Sequence, residues 1–166
     1  MELVVRASGE AWWAGRHMRC AVGRAGIVGD KREGDGGTPA GRWPMREVLF
    51  RGDRLGPIMT PLPARELRPA DGWCDAPGDP AYNRLVRQPY LAHCEYLWLA
   101  EAVYDVIVPL GYNDDPAVPG RGSAIFLHVA RPDFAPTGGC VALALDDLLA
   151  VLRGVLPGAQ VRVVRG

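Results

Sequence analysis

A thiol and an imidazole are the residue pair in this chain best placed to break an amide. His128 follows the apolar run Ala124–Leu127, and Cys140 precedes a second apolar run that starts at Val141. Both runs read as buried strands. The Pro-containing loop between them allows the strands to lie side by side, with His128 and Cys140 close together. A cysteine attacks as thiolate, and a neighbouring imidazole is the usual means of generating one. Cys140 is also preceded by Thr137, Gly138 and Gly139. The two glycines can take backbone angles barred to other residues and aim amide N–H groups at a developing oxyanion. A lone Cys or a lone His would read as a core residue. The order His, loop, Gly-Gly-Cys, apolar strand reads as base, donors and nucleophile of a covalent catalyst.

The elements that must position this pair are mostly short strands. Glu2–Ala7 and Glu10–Ala14 flank a Ser8-Gly9 turn, and Met18–Val28 reads as a strand pair or a bulged strand broken at Gly23 and Gly26. Trp12 and Trp13 both read as core aromatics. Residues 29–41 form a charged, glycine-rich loop leading into a strand over Arg42–Phe50. No Gly-Lys-Ser/Thr follows it and no helix begins there, which argues against a phosphate loop. Residues 52–80 are rich in Pro, Gly and Asp, with strand-like character only around Leu55–Met59, and Asp71–Asp75 reads as irregular loop. Trp73 and Tyr82 anchor that loop to the core in preference to lining a cleft. The spacing of Leu91, Cys94, Leu97 and Trp98 predicts a helix over 91–102. Tyr104–Leu110 is a strand by its β-branched content. Tyr112 and Asn113, in the turn that follows, could hydrogen-bond a peptide substrate, although an Asx turn accounts for Asn113 equally well. Asp146 reads as the N-cap of a helix over 147–153, and Gln160–Arg165 as the last strand. The sum is a mainly-β, sandwich-like single domain, 1–166, with one or two short helices.

Composition narrows the function. Lys+Arg and Asp+Glu are 19 each, giving a formal net charge of zero with no basic block, which argues against a nucleic-acid partner. No run is long enough to span a bilayer, and the N-terminus lacks a signal-peptide pattern, so the expected location is cytoplasmic and off the membrane. Cys20, Cys74 and Cys94 are scattered, and an odd three remain once Cys140 is kept free, which does not suit a disulfide framework. Cys74, His93, Cys94 and His128 lack zinc-ligand spacing, so no metal is expected. The chemistry needs no cofactor.

The segment His128…Thr137-Gly138-Gly139-Cys140-Val141-Ala142 resembles the active-site signature of the YkuD-type L,D-transpeptidases, a strand His followed by Ser/Thr-x-Gly-Cys-Val/Ile-Arg. The loop from Lys31 to Gly41 is similar to a Lys-x-x-Asp-Gly-x-Thr-Pro-x-Gly segment of that family, where it shapes a wall of the fold. The resemblance implies the same β fold and makes Cys140 the nucleophile, His128 the base and acid, and Gly139 with Cys140 the oxyanion donors. Its substrates would be peptidoglycan stem peptides or muropeptides. The family's Arg is Ala142 here; Arg131 is the nearest replacement and Arg121 a weaker one. With no export signal in view, the expectation is an L,D-carboxypeptidase that trims terminal D-alanine from tetrapeptide stems during cell-wall recycling. The alternatives are a cross-linking L,D-transpeptidase and an inactive stem-peptide binding module. Oligomeric state is not legible.

Overall fold

A computed structural model describes residues 1–166. In chain order its elements are β1 (Glu2–Arg6), β2 (Glu10–Trp13), β3 (Arg16–Ala21), β4 (Ile27–Val28), β5 (Thr38–Pro39), β6 (Gly41–Pro44) and β7 (Val48–Phe50). There follow α1 (Gly52–Leu55), β8 (Ala64–Glu66), β9 (Asp71–Cys74), β10 (Arg84–Arg87), β11 (Cys94–Tyr96), a short 3-10 helix (Ala102–Tyr104) and β12 (Val106–Pro109). The chain ends with β13 (Phe126–Val129), β14 (Val141–Leu143), α2 (Leu145–Gly154) and β15 (Gln160–Val164). The fold is mainly β with two short helices, as the strand count implied. No helix is long and apolar enough to cross a membrane.

Ten strands form one sheet in the order β6-β15-β1-β2-β3-β14-β13-β12-β7-β8. Only Met45–Glu47 separate β6 from β7, although β6 stands at one end of that order and β7 next to the other. Three residues reach roughly 10 Å, so the sheet must curl until its ends nearly meet. An isolated bridge between Met45 and Leu110 marks the closure. Inside the curl lies the larger core, which includes Leu3, Val5, Leu127, Val129, Val141 and Leu143, with Leu148, Val151 and Leu152 of α2 as its plug. A second, smaller core holds Leu49, Trp73, Leu97, Tyr104, Phe126 and Cys140 on the outer face of the same strands. The three-stranded sheet β10-β9-β11 contributes Trp73 to it. Strands β13 and β14 are therefore a shared wall. Their alternate side chains enter one core, and the others face the second core.

Several elements differ from the sequence expectation. Arg42–Phe50 is two strands, because the chain leaves the β6 edge of the curled sheet after Pro44 and enters it again at Val48 between β12 and β8. The expected helix over 91–102 is absent: Cys94–Tyr96 is a strand paired with β9, and Leu91 is fully exposed. Asp71–Cys74, expected as loop, is the buried central strand of the smaller sheet. Gly52–Leu55 is helical, and no strand forms over Leu55–Met59. Asp146 lies inside the first turn of α2, whose N-cap is Ala144 with no side-chain cap. Trp13 is core, whereas Trp12 is half-buried, with the Arg6 guanidinium 5.0 Å from its ring centroid.

Candidate active site

His128 and Cys140 arrive from adjacent parallel strands. The register pairs Leu127 with Val141 and His128 with Ala142, so Cys140 lies beside Phe126, just before β14. Leu127 and Val141 enter the larger core, and parity turns His128, Cys140 and Ala142 to the opposite face. Both catalytic-type residues are buried and border one cavity of about 290 Å³. Most of the rest of its wall is charged or polar, with Lys31, Glu33, Asp75, Glu95, Ser123, Arg131, Tyr104 and Thr137, and Ala124 and Ile125 add an apolar part.

The turn before Cys140 is locked by one hydroxyl. Thr137 Oγ1 donates to the Cys140 carbonyl at 2.6 Å and accepts from the Gly139 N–H at 3.1 Å. The Thr137 backbone is itself pinned, donating to the Val22 carbonyl and accepting from the Arg24 N–H, each at 2.9 Å. Gly139 has φ +141°, and a Cβ there would stand 2.8 Å from the Gly37 carbonyl oxygen. Both facts demand glycine. Gly138 needs neither concession: its added Cβ would find its nearest neighbour, an Arg24 guanidinium nitrogen, at 3.8 Å. The two glycines are thus not equivalent. The Cys140 N–H lies outside the β13–β14 ladder and is free of any protein acceptor.

The thiol and the imidazole share the cavity without hydrogen-bonding each other. The Cys140 thiol donates to the Ala124 carbonyl at 3.1 Å and accepts from the Phe126 N–H at 3.3 Å. Burial pushes it up to about 12, with Glu95 adding to the rise and the Phe126 N–H and Lys31 opposing it. His128 Nδ1 pairs with the Val129 carbonyl at 2.9 Å. A carbonyl only accepts, so Nδ1 carries the proton and Nε2 keeps its lone pair. Burial lowers the imidazole to about 4; Arg131 acts in the same direction, and the Val129 and Val103 carbonyls act against it. The resting pair is therefore neutral. Tyr104 sets its ring edge-on to the imidazole at 5.3 Å, and its hydroxyl is hydrogen-bonded to Glu95, whose carboxyl burial pushes up.

Ala124 itself is held in an unusual way. It is a non-glycine residue at φ 54°, the left-handed region that side chains disfavour. Its N–H donates to Asn83 Oδ1 at 3.0 Å. Asn83 is buried and uses every hydrogen-bonding position it has. Oδ1 also accepts from Trp73 Nε1 at 2.9 Å, and Nδ2 donates to the Tyr112 and Asn113 carbonyls at 3.1 and 2.8 Å. One amide thus ties β9, the 112–113 turn and Ala124, the residue whose carbonyl receives the thiol.

Of the residues singled out from sequence, Cys140, His128, Thr137, Gly138 and Arg131 border the cavity, and Gly139 sits in the turn beneath it. Tyr112 and Asn113 do not. The Tyr112 ring packs edge-on against Trp43 and its hydroxyl donates to the Arg121 carbonyl. The Asn113 side chain bonds Val118 and Gly122, shaping its own loop. Arg121 pairs with Asp30 at the surface. Trp73 and Tyr82 pin loops, the latter by donating to Glu33 and accepting from the Gly122 N–H. Sequence reading missed Lys31, Glu33, Asp75, Glu95, Tyr104 and Asn83. The charge run Lys31–Glu33 was visible but read only as wall; the others lay in segments whose partners are distant in sequence.

A family model, that of the YkuD L,D-transpeptidase catalytic domain, matches residues 3–163. No curated protein matches the chain. The match spans nearly the whole sequence, including the thiol, the imidazole and the turn between them, and on it the chain belongs to the L,D-transpeptidase catalytic domain family.

Proposed function

We propose that this enzyme is a cysteine-dependent L,D-carboxypeptidase that removes the terminal D-alanine from peptidoglycan tetrapeptide stems, a trimming step of cell-wall recycling. The observation that carries the choice of hydrolysis over cross-linking is the single cavity of about 290 Å³ that holds both Cys140 and His128. The neighbouring cavities, bordered by Arg46 and Asp114 in one case and Arg65 and Arg87 in another, touch neither residue. The space at the thiol suits one peptide end and a water. A second stem would need a further groove leading to the same sulfur.

In the acylation step the Cys140 thiol leaves the Ala124 carbonyl and passes its proton to His128 Nε2 as Sγ attacks the carbonyl before the D-alanine. Because the resting pair is neutral, proton transfer accompanies attack; no preformed ion pair is needed. The free Cys140 N–H meets the oxyanion, and the Gly139 N–H joins it by releasing Thr137 Oγ1. His128 then protonates the departing D-alanine nitrogen, leaving a thioester. Water, deprotonated by His128, attacks the thioester, and Cys140 departs as thiol with the proton returned. Arg131 is the cation suited to the terminal carboxylate. Its present partner is Glu101, 3.1 Å away at the surface, a pair worth at most about 1 kcal/mol and so easily exchanged.

The test is mass spectrometry of purified protein with a tetrapeptide stem, with and without excess acceptor peptide. Release of D-alanine and tripeptide at a rate indifferent to acceptor, and absent in Cys140→Ser, is the expected result. A cross-linked dimer would replace this reading with transpeptidation. Absence of any product would leave a stem-peptide binding module.

A further inference from the structure

Two of the three cysteines that looked scattered in sequence meet in space. Cys74 on β9 and Cys94 on β11 are direct partners in an antiparallel register. The next pair along that register is Asp75 with His93, and the Asp75 N–H donates to the His93 carbonyl at 3.2 Å. Hydrogen-bonded and non-hydrogen-bonded pairs alternate along such a ladder, so Cys74 and Cys94 occupy a non-hydrogen-bonded position. There the Cα atoms stand about 4.5 Å apart and the side chains are closest. That separation falls within the range of about 4.4–6.8 Å that a disulfide spans. The thiols are near enough that Cys74 opposes ionisation of Cys94. Cys20 and Cys140 belong to other strands, Cys20 opposite Leu143 and Cys140 in the catalytic turn.

We infer that Cys74 and Cys94 form a reversible intrachain disulfide that staples the three-stranded sheet beside the active-site cavity. The oxidant is a small-molecule disulfide. Cys94, which is partly exposed, meets it first; Cys74 is fully buried and acts second. Cys94 gives up its proton, attacks one sulfur of the reagent and expels the first thiol. Cys74 then gives up its proton, attacks Cys94 Sγ in the mixed disulfide and expels the second. Two protein thiols are oxidised, one reagent disulfide is reduced to two thiols, and each released thiol carries one of the protons. The thiolate needed for the first attack is scarce at neutral pH. Burial pushes Cys94 up to about 11, helped by Cys74, Asp75 and Asp79, while the neighbouring His93 pairs with Asp75. The staple therefore forms slowly near neutrality and faster as pH rises. It behaves as a structural lock and not as a rapid sensor.

The lock matters to the site because of what adjoins it. Asp75 follows Cys74, Glu95 follows Cys94, and both carboxylates border the catalytic cavity. Glu95 also holds the Tyr104 hydroxyl, whose ring lies against His128. Joining β9 to β11 fixes that acidic wall. The inference does not depend on which peptide the enzyme cleaves.

The experiment is to incubate native protein with oxidised glutathione, block remaining thiols, digest without reductant and map the cross-links by mass spectrometry. A peptide pair joined through Cys74 and Cys94, dissolved by dithiothreitol, is expected. The oxidised protein should melt roughly 5–10 °C higher than the reduced one, and Cys94→Ser should show no such shift. Reduced Cys94→Ser should keep the activity of reduced wild type. Glutathione persisting on Cys94 with no link to Cys74, or links running to Cys20 or Cys140, would overturn the assignment. So would a 74–94 link that leaves the melting temperature unchanged, since a strand pair already locked in the reduced state has nothing to gain. Cross-link mapping uses wild-type protein and no substrate, so failure of the carboxypeptidase reading leaves its result interpretable.

Discussion

The neutral imidazole should make this protein acid-labile in a way that a single substitution removes. His128 titrates near 4 in the fold, against an ordinary 6.5, because burial excludes the charged form. Between those values the unfolded chain binds a proton that the folded chain refuses, so stability falls as pH falls through that window. At about 1.4 kcal/mol per pH unit, the loss from pH 7 to pH 4 is roughly 3 kcal/mol. His128→Gln keeps a donor for the Val129 carbonyl and cannot titrate. Urea denaturation of both proteins across pH 4–7.5 gives two stability curves. The wild-type curve should drop below its own neutral value by about 3 kcal/mol more than the variant's. The carboxylates held low, Asp35, Asp53 and Asp79, add acid lability to both proteins and cancel in the comparison. The raised Glu95 acts in the opposite sense and cancels likewise. Parallel curves would mean that the fold leaves His128 at its ordinary value. A wild-type curve that gains on the variant's toward acid would mean a stabilised imidazolium, in which case the concerted proton transfer would have to give way to a preformed ion pair.

Two further outcomes follow from the same geometry. Gly139→Ala combines a φ of +141° with a Cβ 2.8 Å from the Gly37 carbonyl oxygen and should cost roughly 2–4 kcal/mol, whereas Gly138→Ala should stay within about 0.5 kcal/mol; equal melting temperatures would contradict the asymmetry. Substrate-free Cys140, raised from 9.0 to about 12, should react with iodoacetamide at pH 7 roughly a thousand-fold more slowly than a free thiol, and fast labelling would show an activated thiolate at rest.

How far the sequence could be read depended on whether an element's partner was near in the chain. The runs beside His128 and Cys140 are apolar and separated by one loop, so their pairing was legible, and with it the juxtaposition of thiol and imidazole. The stretch Asp71–Cys74 carried no such signal. Its residues have poor strand propensity, and it becomes a strand only because β10 and β11 bond it on both sides. Leu91, Cys94, Leu97 and Trp98 mimic a helical period because Leu97 points into a core and Cys94 faces β9, two burials with different causes. Each error hid a wall of the cavity. Asp75 closes the first of those two misread segments, Glu95 lies inside the second, and Asn83 sits in the connection between them.

What these misread parts supply also bears on the one departure from the family signature. Ala142 is buried opposite His128 on one side and Ala21 on the other, with its side chain on the catalytic face. An arginine there would add a cation beside the imidazole. In this chain the orienting work is divided among neutral groups. The Val129 carbonyl fixes the tautomer of His128, the Thr137 hydroxyl fixes the Cys140 turn, and Asn83 fixes Ala124, whose carbonyl holds the thiol. None of these needs a charge at position 142. Of the two cations that border the cavity, Lys31 is buried and held by Asp35, whereas Arg131, from the loop, has a side chain that is about half exposed and bound only by a surface carboxylate. On the proposed reading an exposed cation at the rim is suited to seizing a substrate carboxylate as it enters, a task distinct from positioning Cys140. On the proposed reading the division predicts a kinetic split: Arg131→Ala should raise KM about tenfold with kcat little changed, since it removes a binding contact made alike in ground and transition states. Thr137→Val should instead lower kcat, because it loosens the turn that aims the Cys140 N–H. If Arg131→Ala lowered kcat and left KM alone, the cation would belong to the chemical step, and the neutral groups could not be the whole of the orienting apparatus.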